Sequence, residues 1–221
     1  MYKTKPCQPC DMPAPGMPLK ALVLNASLKH EAEDISNTGE LAELVLANMK
    51  EREAGVQTES IRLADKHIPV GLGYRQSPDD EWPAIAEKIK TADIIIFATP
   101  VWWGQRSSLM QRVIERMDSL DEDYRASGKS AIYNKVAGIV ITGNEDGALH
   151  VMGSIMMVLA WLGFTLPPEC CAYWVGEVGN PISGDRQLRL KNEATMHMAK
   201  NLARNLVYYA QLLKQHPLVL K

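Results

Sequence analysis

Residues 92–99 read ADIIIFAT and residues 135–142 read KVAGIVIT, two runs with almost no polar residue at any position. A strand with one face in water alternates apolar and polar side chains, whereas a strand apolar at consecutive positions has both faces covered. Covering both faces of a sheet takes helices on both sides, so these two runs restrict the fold more than any other feature. The intervening sequence supplies the helices. Lys20–Asn25 (KALVLN) is a third short apolar strand, and a helical stretch from Thr38 to Ala54 carries Leu41, Leu44, Val45, Asn48 and Met49 at helical spacing, with Gly55 as its stop. Val56–Leu63 alternates as a strand, 64–80 is a loop, and Glu81–Thr91 is a short helix. After the run at 92–99, Ser108–Met117 reads as a helix with Ser108 and Gln111 spaced as a capping box, and 118–134 reads as a polar loop. Asp146–Leu162 is an apolar helix, Thr165–Val175 a last extended segment, and 185–214 one long amphipathic helix with Leu188, Leu202, Leu206, Tyr209 and Leu213 inward.

Strand and helix alternating in this way predict an α/β fold, a doubly wound parallel sheet with right-handed crossovers. In such sheets ligands bind beyond the carboxyl ends of the strands, at the switch point in strand order. Three units are expected: a flexible Pro-rich leader over 1–18, a single domain over 19–183, and a C-terminal helix over 184–221 packing on the same domain.

Composition narrows the function classes. A net charge of −2 and a pI near 6.2 give no basis for binding nucleic acid. The longest apolar run, Val151–Phe164, is too short to span a bilayer, and the first residues hold no apolar signal core, so a cytoplasmic protein without membrane attachment is expected. Cys7 and Cys10 form a CxxC, a pattern used by zinc half-sites and redox dithiols. The other pair, Cys170 and Cys171, lacks matching spacing, and CQPC precedes any strand, so no metal site is assigned.

Three loops follow strand ends at the switch point. The first, NASLKHEAEDISNTGEL (residues 25–41), lacks both GxGxxG and GxxxxGK[ST]. It offers hydroxyls at Ser27, Ser36 and Thr38, the Asn37 amide and the Lys29 cation just before a helix N-terminus, where free N–H groups and the helix dipole favour phosphate. Plain capping by Ser36 or Asn37 explains part of the same pattern, and Glu31, Glu33 and Asp34 would have to face solvent around a phosphate. The second loop, TPVWWGQRSS (residues 99–108), ends its strand at Pro100, which supplies no N–H, and Gly104 allows a sharp bend. Neighbouring side chains in an extended segment point opposite ways, so at most one of Trp102 and Trp103 is expected along a ligand, with the other in the core or against another subunit; the alternative is that both plug the gap between sheet and helices or face another subunit. The third loop, ITGNEDGALH (residues 141–150), is rich in backbone donors, although an Asn or Asp cap with an acidic first turn accounts for the same residues. His150 receives no role.

The set SLK…SNT, TPVWWGQ and TGNEDG resembles the NAD(P)H-dependent FMN reductase branch of the flavodoxin-like superfamily, over roughly residues 19–176. The resemblance implies a three-layer flavodoxin-like sheet of five strands in the order 2-1-3-4-5 and noncovalent FMN. It places the phosphate on Ser27, Lys29, Ser36, Asn37 and Thr38, and the ring against Pro100, Val101, Trp102, Trp103, Gly104 and Gln105. Thr142, Gly143, Asn144, Asp146 and Gly147 would lie near the other edge of the ring. It further implies NAD(P)H as co-substrate, a small-molecule electron acceptor, and a homodimer or homotetramer, with no catalytic acid or base. Two departures stand out: Lys29 replaces the usual Arg in a longer, more acidic first loop, and the third loop lacks a run of glycines. The alternatives are a flavodoxin-like electron carrier, disfavoured by the near-neutral charge, and a non-catalytic FMN-binding protein.

Overall fold

The apolar runs form the centre of one parallel sheet. A computed structural model of the chain describes residues 18–30, 32, 35–128, 130–177 and 182–219; the expected leader with Cys7 and Cys10, and Glu31, Glu33 and Asp34, lie outside the described residues. Strands β1 (Lys20–Asn25), β2 (Gln57–Arg62), β3 (Ile94–Trp102), β5 (Val136–Gly143) and β6 (Cys171–Val175) pair in parallel in the order β2-β1-β3-β5-β6. This is the 2-1-3-4-5 order once β4 (Gln105–Arg106) is set aside, a two-residue strand that pairs antiparallel with the end of β3.

Successive residues of each central strand serve opposite layers, as period two requires. Leu22, Leu24, Ile95, Phe97, Ile139 and Ile141 pack under α2 (Trp82–Thr91), α3 (Ser108–Arg116) and α5 (Ala148–Leu162). Val23, Ile94, Ile96 and Val140 pack under α1 (Asn37–Arg52) and α7 (Glu193–Gln215). Each such side chain taken fully from water contributes roughly 1.5–3 kcal/mol, which is why the strands carry the fold.

Several boundaries differ from the sequence expectations. Residues 118–134 contain a helix, α4 (Asp118–Ser127), anchored in the core by Leu120 and ended at Gly128 with φ 69°. Leu120 and Tyr124 are the only large apolar residues in the sequence over 118–127, too weak a period to be seen. The helix expected over 185–214 is two, α6 (Ile182–Lys191) and α7, because the Asn192 side chain accepts the Thr195 N–H and starts a new helix. Leu188 is accordingly exposed rather than inward. The last extended segment narrows to β6, with Thr165 reduced to a single bridge to Val136. Ser107, not Ser108, caps α3 by accepting the Met110 N–H at 3.2 Å, and α5 begins at Ala148. Strand β3 does not stop at Thr99 but runs through Pro100 to Trp102. β1 leaves the sheet after Asn25, opposite Ala98, so at Thr99 and Pro100 β3 pairs only with β5, before β4 joins it at Val101, and Pro100 needs no N–H toward β1.

The loop over 64–80 is held from below. The fully buried Arg116 donates through Nη2 to Asp80 Oδ2 at 2.7 Å and Gly73 O at 3.1 Å, and through Nη1 to Pro69 O at 2.9 Å. Its guanidinium lies over the buried Trp82 ring, 5.6 Å from the centroid.

Candidate functional site

The carboxyl ends of β1, β3 and β5 open on one cavity of about 240 Å³. Its first wall is the loop after β1. The Ala26 N–H continues the ladder to Ala98 O, Ser107 Oγ donates to Ala26 O, and Ser27 Oγ accepts the Lys29 N–H, so the loop's start is rigid before any ligand arrives. On the outer side Arg62 Nη1 donates to Lys29 O at 2.9 Å and His30 pairs with Asp65 at 2.8 Å. The Ser36 side chain accepts the Gly39 N–H at 2.9 Å and starts α1. The first N–H groups of any helix lack intrahelical partners, so the residues after Ser36 present donors and the positive end of the α1 dipole. Thr38 Oγ1 lies 2.6 Å from Thr142 Oγ1, which ties this wall to the end of β5.

The second wall is a β-hairpin that the sequence did not reveal. Trp102 pairs with Gln105, and the two loop residues Trp103 (φ 50°) and Gly104 (φ 71°) both take left-handed backbone, as a tight hairpin turn requires. A bulky residue at positive φ is strained. The Trp103 N–H is held by Glu145 Oε1 at 2.5 Å, which anchors that strained position to the third loop. Gln105 Nε2 lies 3.2 Å from His150 Nε2, and Arg106 Nη1 donates to Ser154 Oγ at 2.9 Å, fixing the hairpin along α5. The consequence for the two tryptophans is clear. Trp102 lines the cavity beside Pro100 and Val101; Trp103, 88 % exposed, does not.

Of the residues expected from sequence, Ser27, Lys29, Asn37 and Thr38 line the cavity from the first loop, with Pro100, Val101 and Trp102 from the second and Thr142, Gly143 and Asn144 from the third. Ser36 faces a separate groove along the outer flank of α1. Trp103, Gly104, Gln105, Asp146 and Gly147 stand outside the lining. Three carboxylates also line the cavity: Glu145, Glu177 and Asp185. Glu145 lay within a loop already singled out by sequence. Asp185 is brought in by α6 from 148 residues away, where its Oδ2 accepts the Asn37 Nδ2–H at 2.7 Å, and no sequence spacing signals that contact.

The residues present suit a phosphorylated flavin. One end holds a lysine, hydroxyls and a helix N-terminus, and the other holds a proline, a valine and a half-exposed tryptophan. The enclosed volume is below the 300–1,000 Å³ typical of small-ligand pockets, so part of such a ligand would extend along the hairpin rim. Among the described residues no group of three His, Cys, Asp or Glu could hold a metal ion, and no helix is long and apolar enough to cross a membrane.

Known proteins share this architecture. The chain is 32 % identical over 213 residues to an 8-demethyl-8-aminoriboflavin-5′-phosphate synthase of Streptomyces davaonensis, covering 91 % of this chain and 80 % of that protein. A crystal structure of RosB with bound 8-demethyl-8-formylriboflavin-5′-phosphate superposes with a TM-score of 0.78 at 31 % identity, covering 90 % of this chain and 82 % of that one. A divalent metal cation transporter MntH of Mycobacterium bovis is 36 % identical over 206 residues, 89 % of this chain, but the chain spans only 29 % of that protein's length. The sequence model of a family of flavin-dependent oxidoreductases matches residues 19–176, the segment that carries all three loops of the cavity. With that match and the fold and loop geometry in agreement, the chain belongs to the NADPH-dependent FMN reductase family.

Proposed function

We propose that the chain binds FMN noncovalently in this cavity and catalyses hydride transfer from NAD(P)H to a second small-molecule acceptor. The single observation that supports this most is the convergence of a phosphate-type loop and an aromatic hairpin on one cavity at the switch point of the sheet. Bound FMN supplies the two-electron chemistry. The chain supplies position. Lys29, Ser27, Thr38 and the start of α1 hold the phosphate, while Pro100, Val101 and Trp102 form the wall for the ring, and the third loop closes its polar edge. Trp102 also shields one side of the cavity from water, and no side chain is assigned as acid or base, because hydride transfer depends on orientation more than on proton transfer.

Titration of the full chain with FMN tests this directly. Flavin fluorescence should be quenched with a dissociation constant in the low micromolar range or below, and NADPH should be oxidised in the presence of an added quinone or free flavin. Trp102→Leu should weaken FMN binding about tenfold, a loss in line with one base-sized aromatic contact, while Trp103→Ser leaves it within twofold. Equal effects of the two substitutions would remove the assignment of Trp102 to the ring wall.

A second reading has a specific basis. The synthase from Streptomyces davaonensis makes a modified flavin phosphate, and the RosB structure holds one, so in those proteins the flavin is itself transformed. Mass analysis of the flavin recovered after turnover separates the two: FMN returned unchanged supports the reductase, and a mass change at the ring supports the synthase-like role. The exposed apolar stripe of α5, Leu149, Met157 and Trp161, suits the homodimeric or homotetrameric assembly expected from the family, which light scattering on the purified protein would reveal.

A further inference from the structure

The cavity carries a carboxylate that a phosphate site does not need. Asp185 lies on α6, beyond the family-matched segment, is 7 % exposed, and lines the cavity. Its Oδ1 accepts the Trp174 Nε1–H at 2.7 Å, and its Oδ2 accepts the Asn37 Nδ2–H at 2.7 Å with Arg189 Nη1 at 3.7 Å. Arg189 is in turn paired through Nη2 with Glu40 at 2.5 Å, and Arg186 Nε binds the same carboxylate at 2.7 Å. The carboxylate is therefore fixed from three sides, by β6, α1 and α6.

Asn37 is committed at one end only. Its amide N–H goes to Asp185, while its Oδ1 is buried and accepts no hydrogen bond. A buried acceptor without a partner has lost its water and gained nothing in return, so a donor arriving there is favoured. An ionised carboxylate accepts only and has about four lone-pair positions, two of which are used here. Both groups thus call for donors. A phosphate dianion has none to give, and hydroxyl groups do.

We propose that Asp185 and Asn37 form an acceptor pair that reads the hydroxyls of the polyol chain joining ring and phosphate, making the site selective for a polyhydroxylated flavin over the bare ring. It rests on the flavin assignment above and moves Asn37 from the phosphate to the polyol. The other use of this carboxylate, as a stand-in that a phosphate displaces, is opposed by its anchors: leaving would unpair Trp174 Nε1 and weaken the charge balance of the buried Arg189.

Two ligand pairs separate these roles in the full chain. Riboflavin and lumiflavin share the ring and differ in the polyol; FMN and riboflavin share the polyol and differ in the phosphate. In the natural protein riboflavin should bind at least about tenfold tighter than lumiflavin, as one or two hydrogen bonds to a charged acceptor provide. In Asp185→Asn that ratio should fall to within about twofold, while the ratio of FMN to riboflavin stays within about threefold. Asn37→Ala should show the same pattern and serves if the first variant does not fold. An unchanged riboflavin-to-lumiflavin ratio in a folded variant overturns the acceptor pair, as does a rise in FMN affinity with that ratio intact. Failure of the natural protein to bind any of the three flavins overturns the flavin assignment itself, a different result from either.

Discussion

Arg116→Met is expected to lower the stability of the fold by about 3–5 kcal/mol, the usual cost of leaving one member of a buried ion pair without its partner. For a chain of this size that is a fall in thermal midpoint of roughly 10 °C. Arg116 and Asp80 both have side chains with no exposure, 2.7 Å apart, and Arg116 also holds the carbonyls of Pro69, Gly73 and Tyr74. Methionine fills the space beside Trp82 but leaves these carbonyls and the Asp80 carboxylate without a cation. Burial alone would push the Asp80 carboxyl upward; its hydrogen bond from Arg116 and those from the Gln76 and Trp82 N–H groups outweigh that and hold it below the ordinary value. Because Asp80 ionises more readily in the folded chain, its contribution is complete above the unfolded carboxyl range near pH 4 and is lost as pH falls through the lower folded value. In Arg116→Met the carboxyl loses the guanidinium that favours its charged form, so the loss of stability should be largest near pH 7 and should narrow as pH falls and Asp80 takes up a proton in both proteins. Asp80→Asn combined with Arg116→Met should recover a large part of the loss, since the uncompensated charge is then gone. Equilibrium urea unfolding of the three proteins between pH 3 and pH 7 measures this; a single-variant loss below about 1 kcal/mol would show that the pair is not what holds the loop.

The parts of this molecule that were legible in sequence are those fixed by local periodicity. β3 and β5 are apolar at nearly every position because both faces are covered, and that alone implies the layers and the parallel order. The site was legible as far as its loops follow strand ends. What escaped is set by pairings distant in sequence. The hairpin was hidden because Pro100 ordinarily ends a strand, and only the departure of β1 after Asn25 makes its missing N–H harmless. Which tryptophan meets the cavity depends on a left-handed turn held by Glu145, 42 residues away. Asp185 joins Asn37 through a helix break at Asn192 that reads, in sequence, as one more polar residue on a long amphipathic helix.

That dependence of the ring wall on distant contacts leads to the largest expected effect on binding, Gly147→Ala. Gly147 stands just before α5 with φ 127°, a conformation that an alanine adopts at a cost of about 1–3 kcal/mol. Its added Cβ would also lie 2.7 Å from Gly104 Cα and 3.1 Å from Gly104 O, so backbone, not a flexible side chain, must yield. The element that yields is the tip of the hairpin, because the far side is the start of a helix rooted in the core by Val151 and Ile155. Moving the tip breaks the bond from the Trp103 N–H to Glu145 and carries Trp102 away from the cavity. Because the Trp102 contact and the seat of the hairpin tip are lost together, FMN affinity should fall further than the about tenfold expected of Trp102→Leu, while far-UV circular dichroism stays that of the natural protein. Gly104→Ala is the matched control. It too places alanine at positive φ, 71°, but its Cβ meets nothing within 4 Å, so it should cost about 1–2 kcal/mol of stability and leave FMN affinity within about threefold. If both variants bind FMN equally, the close approach of Gly147 to Gly104 does not set the ring wall. If only Gly147→Ala fails, the two loops act as one rigid clamp, and it is their contact, rather than the tryptophan pair alone, that prepares the cavity for a flat ring.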